Sequence, residues 1–189
     1  MTAHGSVAPD ERLRLFLGLR IPDEWGAGLE RWQQRELRGG RAVPSRNLHV
    51  TLAFLGRRPA GELPSVVSAL AGAAARARRP VLAVERYRET RAAGMLVLAD
   101  ADARATALAH DVQARLEDLG VYRREDRPWL PHLTVLRFRA RPHLRPPLPS
   151  LGPLVPSDAA AYLSRLHPSG ARYEVLESFP LAEADLGGE

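Results

Sequence analysis

The chain has 189 residues and no cysteine. Structural disulfides, thiolate zinc sites and thiol nucleophiles are therefore excluded. Lysine is also absent: all 27 basic residues are arginine, against 22 Asp and Glu, for a net charge of +5. There is one asparagine, Asn47, and one isoleucine, Ile21. The missing lysine reads first as coding bias. The excess of arginine still favours a phosphate-bearing partner, because guanidinium groups pair with phosphate oxygens through two parallel bonds. No apolar run approaches the roughly 18 residues of a membrane span. The first eleven residues are mixed and polar, without the apolar centre of a signal peptide. A Gly-rich loop closing on Lys-Ser/Thr is missing, as is a Gly-x-Ser-x-Gly elbow, so neither a P-loop nucleotidase nor that type of serine hydrolase is expected. The expectation is a cytoplasmic monomer with no membrane association. Residues 1–11 are expected to form a flexible N-terminus and residues 12–189 a single domain.

Two stretches organise what is there. One is Asn47-Leu48-His49-Val50-Thr51-Leu52-Ala53-Phe54-Leu55-Gly56, and the other is Pro131-His132-Leu133-Thr134-Val135-Leu136-Arg137-Phe138. In an extended strand successive side chains point to opposite faces. His49 and Thr51 then share one face, with Leu48, Val50 and Leu52 on the other. His132 and Thr134 likewise stand opposite Leu133 and Val135. The apolar faces can be buried while both His/Thr pairs face one cleft.

Elsewhere the chain reads as strands interleaved with three helices. Leu13–Ile21 alternates as a first strand. Pro22-Asp23-Glu24 opens a helix that carries Trp25, Leu29, Trp32 and Leu37 and ends at Gly39-Gly40. The His49 strand is expected to stop at Gly56, before a basic loop Arg57-Arg58-Pro59. Leu63–Ala77 has helical spacing at Leu63, Val67, Leu70 and Ala74. Strands are expected over Val81–Tyr87 and Met95–Ala99, with a basic connection over Arg86–Arg91. Asp102–Leu119 is the clearest helix: Asp100 or Asp102 can cap it, Leu108, Val112, Leu116 and Leu119 form its stripe, and Gly120 ends it. Arg139–Pro156 is Pro- and Arg-rich and reads as an irregular connection. Ala159–Leu166 and Tyr173–Leu181 read as a final hairpin through His167-Pro168-Ser169-Gly170. The two His/Thr stretches lie nearly half a chain apart, which suggests two α+β halves related by an approximate repeat.

Two imidazoles facing one cleft suit general acid–base catalysis, one accepting a proton and the other giving one. A phosphodiester with an internal alcohol leaving group needs both roles. The threonine hydroxyls can bind the non-bridging oxygens, and arginine or backbone N–H groups can stabilise the added charge. No metal or other cofactor is called for. The alternative for a single strand histidine is a half-buried structural residue. The chain has six histidines and five threonines, so two histidines each followed by threonine at the second position argue for function. His4, His110, His143 and His167 lie in the N-terminus, on a helix surface and in Pro-rich turns. Trp129 can stack on a nucleobase or anchor the core. Arg137 is a phosphate-binding or a structural arginine, and a regular strand would turn it to the face opposite Thr134. The basic pairs Arg57-Arg58 and Arg123-Arg124 read as solvated loops.

These residues resemble the two-histidine (2H) phosphoesterases, and within them the RNA 2′,3′-cyclic phosphodiesterases once called 2′-5′ RNA ligases. Arg14-Leu15-Phe16-Leu17-Gly18-Leu19 looks like that family's opening strand. The His49 stretch is close to its first motif, and Arg127-Pro128-Trp129 before Pro131-His132-Leu133-Thr134 to its second. Ser164-Arg165-Leu166 and Gly170–Leu176 are similar to its closing hairpin. The resemblance implies a bilobal α+β fold, two antiparallel-sheet lobes with helices outside and a central cleft. It implies metal-independent opening of a terminal 2′,3′-cyclic phosphate on RNA ends or cyclic nucleotides, leaving a 2′-phosphate. His49 would be the proton donor and His132 the proton acceptor, with Thr51 and Thr134 on the phosphate and Trp129 and Arg137 as further contacts. An RNA-end-binding module with little turnover, or 2′-5′ ligation in the same site, are the alternatives. The chain departs from the pattern at Gly94-Met95-Leu96-Val97, where the family often has an arginine before a Trp-containing strand.

Overall fold

The computed structural model describes residues 11–168 and 170–183. The segment expected to be flexible lies almost wholly outside these residues, as do His4 and Ser169 of the final turn. The described elements are β1 (Arg12–Arg20), α1 (Asp23–Glu36), β2 (Arg41–Ala42), β3 (His49–Pro59), α2 (Leu63–Ala74), β4 (Leu82–Glu89), β5 (Ala93–Asp100), α3 (Arg104–Asp118), β6 (His132–Arg137), β7 (Asp158–Arg165) and β8 (Arg172–Pro180).

The strands pair antiparallel in the order β4-β5-β6-β3-β1-β7-β8, with β2 also on β6. The two lobes are two halves of this one sheet, β2-β6-β5-β4 and β3-β1-β7-β8. Between them, β3 and β6 share one ladder pair, Val50 with Leu133. Both side chains are fully buried, in a cluster that also takes Leu17, Leu19 and Leu96 from the sheet and the apolar stripes of all three helices. β1 alternates as expected, but it is central, so its second face is covered as well: Phe16 packs with Ala160 and Tyr162 in a separate cluster.

Helix starts follow their local chemistry. Asp23 and Glu24 sit in the first turn of α1, near the positive end of its dipole. Asp100 accepts from the backbone N–H of Ala105 and Thr106, and Asp102 from that of Arg104, so both candidate caps serve α3. Gly120, with φ +69°, ends it. Several expectations need correction. β3 does not stop at Gly56: that residue takes φ +69° and the strand runs on, pairing Arg57 with Arg14 and Arg58 with Leu13. β4 likewise continues to Glu89, so part of the expected basic connection is strand. α2 ends at Ala74 and buries Val66, Ala69, Leu70, Ala73 and Ala74, so Leu70 and Ala74 of the expected stripe face the core while Leu63 and Val67 are half-buried, the contact face being turned toward Val66 and Ala69. Leu119 is exposed, since the helix has ended before it.

The connection over residues 139–156 is irregular, as expected, but firmly attached. Trp25 Nε1 donates to the Gly152 carbonyl at 3.0 Å and Trp32 Nε1 to that of Pro147 at 2.8 Å. Glu89, nearly buried, accepts from Arg141 Nε and from the backbone N–H groups of His143 and Leu144. Burial raises the Glu89 carboxyl pKa, but the bonds to Leu144, Arg141, His143 and Tyr87 outweigh it and hold the pKa below the usual value. The two tryptophans thus bury their rings in the core while their N–H groups tie down a segment with few backbone bonds of its own. Trp32→Phe, which keeps most of the ring and removes the donor, should cost about 1–2 kcal/mol in urea unfolding. An unchanged midpoint would show that the bond to Pro147 contributes nothing.

Candidate active site at the junction of the two halves

The buried pair Val50–Leu133 dictates what lies on the other face of the sheet. Extending its antiparallel register by one residue each way sets His49 across from Thr134 and Thr51 across from His132. The two His-x-Thr stretches are thereby related by a local two-fold through that pair, and all four polar side chains are half-buried. A hollow opens on each side. One, of about 340 Å³, is lined by His49, Thr134 and Arg137 together with Arg41, Arg46 and Arg172. The other, of about 730 Å³, is lined by Thr51, His132 and Trp129 together with Phe54, Tyr122 and Met95. Met95 and Val97, in the segment where the chain departs from the family pattern, pair with Thr134 and His132.

Each imidazole is held by the carbonyl two residues before it. His49 Nδ1 lies 2.8 Å from Asn47 O, and His132 Nδ1 lies 2.8 Å from Leu130 O. A carbonyl can only accept, so Nδ1 carries the hydrogen and Nε2 is the atom left for chemistry. Asn47, the lone asparagine, is itself fixed by its Nδ2 bond to Ala171 O at 2.8 Å. The His49 ring packs on Phe16 (4.5 Å between centroids) and edge-on to Tyr173 (5.3 Å), and Phe16 in turn stacks on Tyr162 at 4.6 Å. Gly18 leaves room for this: a Cβ there would lie 3.0 Å from Val50 O and 3.4 Å from His49 Cδ2. Burial in this setting lowers the His49 pKa to about 4. The bond to Asn47 works against burial, while the charges of His132 and Arg137 add to it.

Arg137 does not project away from the site. β6 pairs Leu136 with Gly94 but Thr134 with Met95, so Val135 is an extra residue in the ladder. A bulge of this kind reverses the alternation beyond it, and Arg137 returns to the face of Thr134. β3 does the same: Ala53 pairs with Leu17 and Thr51 with Gly18, so Leu52 is extra and Phe54 returns to the face of Thr51. Phe54 stays 48% exposed, with the Arg14 guanidinium 4.8 Å from its ring centroid.

Bulges take backbone carbonyls out of the regular ladder, and here a buried glutamine reaches each of the two, that of Val135 beside the Val43 N–H at 3.0 Å. Gln113 Nε2 of α3 donates to Leu52 O at 2.9 Å. Gln33 Nε2 of α1 donates to Val135 O at 2.7 Å and to Val43 O at 2.9 Å. Neither glutamine was singled out from the sequence. The available signal was a polar residue inside an apolar stripe, four after Leu29 and four after Ala109. Trp129 anchors the core: its ring packs against the main cluster and its Nε1 donates to Thr51 O at 3.0 Å, while the side chain also lines the larger hollow. Among the described residues, no three His, Asp or Glu side chains are grouped to hold a metal ion. No described helix is long and apolar enough to cross a membrane.

An antiparallel sheet carrying two facing His-x-Thr strands at its central junction defines the class of paired-histidine phosphoesterases. Residues 19–88 match the LigT like Phosphoesterase family. A curated protein of Thermus thermophilus, named RNA 2′,3′-cyclic phosphodiesterase, is 35% identical over 181 residues, covering 89% of this chain and 90% of that protein. A solved structure from the same organism superposes with a TM-score of 0.76 at 31% identity, covering 90% of this chain and 99% of that one. Escherichia coli LigT complexed with 3′-AMP has the same fold, with a TM-score of 0.75 at 23% identity over 91% of this chain and 99% of that one. The chain belongs to the LigT-like 2H phosphoesterases, in the RNA 2′,3′-cyclic phosphodiesterase family. It is a phosphoesterase.

The glutamine buttress has a measurable consequence. Gln113→Met keeps the volume and withdraws the donor from the Leu52 carbonyl. It should lower stability by about 1–3 kcal/mol and reduce kcat as Thr51 and Phe54 lose their setting. Full activity with native stability would mean that the bulge needs no buttress.

Proposed function

We propose that the protein hydrolyses the 2′,3′-cyclic phosphate at RNA ends to a 2′-phosphate, by paired-histidine acid–base catalysis without a metal ion. The observation that carries this reading is the cross-junction arrangement, in which each imidazole has Nδ1 bound to a carbonyl and Nε2 left on the face it shares with the two threonines. The relative from Thermus thermophilus, named for this activity, supports the choice of substrate. Water attacks phosphorus as its proton passes to His132 Nε2. The P–O3′ bond breaks, and O3′ takes the proton carried on His49 Nε2. Thr51, Thr134 and Arg137 bind the non-bridging oxygens, whose charge grows in the transition state. The products are the 2′-phosphomonoester and a free 3′-hydroxyl.

The donor role assigned to His49 has to meet its low pKa. In the free protein a group that titrates near 4 is neutral at pH 7. Raising it from about 4 to its ordinary 6.5 takes about 3 kcal/mol. A phosphate anion about 4 Å away supplies about 4 kcal/mol at an effective dielectric of 20. Binding of the anion therefore favours uptake of a solvent proton by His49.

With a nucleoside 2′,3′-cyclic phosphate, turnover to the 2′-nucleotide should persist in EDTA, and His49→Ala and His132→Ala should each lower kcat about a hundredfold or more. Loss of activity in EDTA, or activity retained in both variants, would sink the mechanism. The donor assignment is tested by binding the same ligand to the inactive His132→Ala variant. Between pH 4 and the raised pKa the complex holds more protons than its separated parts, so binding should take up a proton and weaken as pH rises. Calorimetry near pH 6 in buffers of different ionisation heat measures this uptake. Its absence would give His49 the acceptor role instead.

A further inference from the structure

The two hollows are related by the local two-fold but differ in chemistry. On the His49 side four arginines line the wall and no carboxylate does. Among the described residues, Arg46, Arg137 and Arg172 form no ion pair. On the His132 side the arginines are mostly answered: Arg124 pairs with Glu117 at 3.2 Å, Arg86 with Glu85 and Arg127 with Glu125. That wall offers flat apolar surface instead, from Phe54 and Trp129. Arg137 belongs to the reacting phosphate, which leaves Arg46 and Arg172 as cations with no assigned anion.

Ribose geometry gives these differences a direction. The base leaves the ring at C1′, next to C2′. The 5′ oxygen leaves through C4′, next to C3′. If His49 protonates O3′, the 3′ edge of the sugar faces His49, and the 5′ phosphate points into the arginine hollow. The 2′ edge and the base then face His132 and the aromatic wall. The charge of each wall and the handedness of the sugar agree on one orientation.

We infer that the arginine hollow beside His49 is a subsite for a second phosphate, the one on the 5′ oxygen of the terminal nucleoside, held by Arg46 and Arg172, with the terminal base against Phe54. This rests on the reading under Proposed function and deepens it: the substrate is a nucleotide with two phosphates, as at a strand end, rather than a lone cyclic mononucleotide with a free 5′-hydroxyl. Guanidinium groups bind the incoming diester bidentately. Phe54, with Arg14 against it, presents the exposed part of its ring to the base.

The test compares kcat/KM at fixed ionic strength for adenosine 2′,3′-cyclic phosphate, the same compound with a 5′-phosphate, and the dinucleotide ending in a cyclic phosphate. The wild type should favour the two 5′-phosphorylated substrates by about tenfold or more, chiefly through KM. Arg46→Gln with Arg172→Gln should bring that ratio to within about twofold of one, and the extra salt sensitivity of the 5′-phosphorylated substrates should go with it. Phe54→Ala should weaken all three alike, since each carries a base. A wild-type ratio near one, or a ratio that survives the double substitution, overturns the subsite. A Phe54→Ala effect confined to the 5′-phosphorylated substrates overturns the orientation. Turnover of none of the three defeats the cyclic phosphodiesterase reading itself, a result separate from equal turnover of all.

Discussion

One buried contact sets the rest of the site: Val50 against Leu133, where the two halves of the sheet meet. A single ladder pair is a thin connection by hydrogen bonding alone. It holds because the apolar cluster behind it is continuous, taking in strands from both halves and all three helices. Each fully buried aliphatic side chain is worth about 1.5–3 kcal/mol, so the core clamps the junction far more strongly than its backbone bonds do. A slip of one residue at that pair would turn one histidine and its threonine into the core and take them away from the other pair. Burial of Val50 and Leu133 is thus also what specifies the cleft.

The bulges show how far the site relies on the helices. The side chain three residues after each threonine lies on the threonine's face, and a regular strand cannot put it there. Inserting one residue turns Arg137 and Phe54 back, but it takes the carbonyls of Val135 and Leu52 out of the regular ladder; that of Val135 accepts from the Val43 N–H at 3.0 Å as well as from Gln33. A buried carbonyl without a donor costs about 1–3 kcal/mol. Gln113 of α3 removes that cost at Leu52, and Gln33 of α1 gives Val135 a second donor and meets the Val43 carbonyl, each serving the strand of the opposite His-x-Thr stretch. The helices therefore do more than cover the sheet; they hold its irregularities in place.

Electrostatics divides the two sides of the junction. Aromatic packing around His49 and the nearby Arg137 both favour its neutral form in the empty protein. Under the proposed function, a bound phosphate would be the counter-charge that favours the protonated form of His49. The overall excess of arginine has a related explanation. Many arginines are answered by acids at the surface, such as Arg58 by Glu62 and Arg115 by Asp111. Arg46, Arg137 and Arg172, which form no ion pair among the described residues, line the hollow beside His49 where no carboxylate does, a local imbalance that a net charge of +5 could not reveal.

What could be read from the sequence was what depends on local period. Alternation put each histidine on the face of its threonine. The acidic first turn of α1, the aspartates before α3 and the terminal Gly120 marked helix ends, and the absence of cysteine removed whole classes of chemistry. What could not be read was where that period breaks. Arg137 was expected on the wrong face, and Phe54 and the two glutamines were passed over, because a bulge is a property of two strands in register and not of either one. β3 running through Gly56, and the rotated face of α2, were missed for the same reason: the partner surface decided them. The order of residues along each strand is enough to say which side chains share a face only as far as the alternation runs unbroken. Which strands adjoin, where each ladder skips a residue and what meets the carbonyls exposed there were settled only on folding, since those are contacts between segments far apart in the chain.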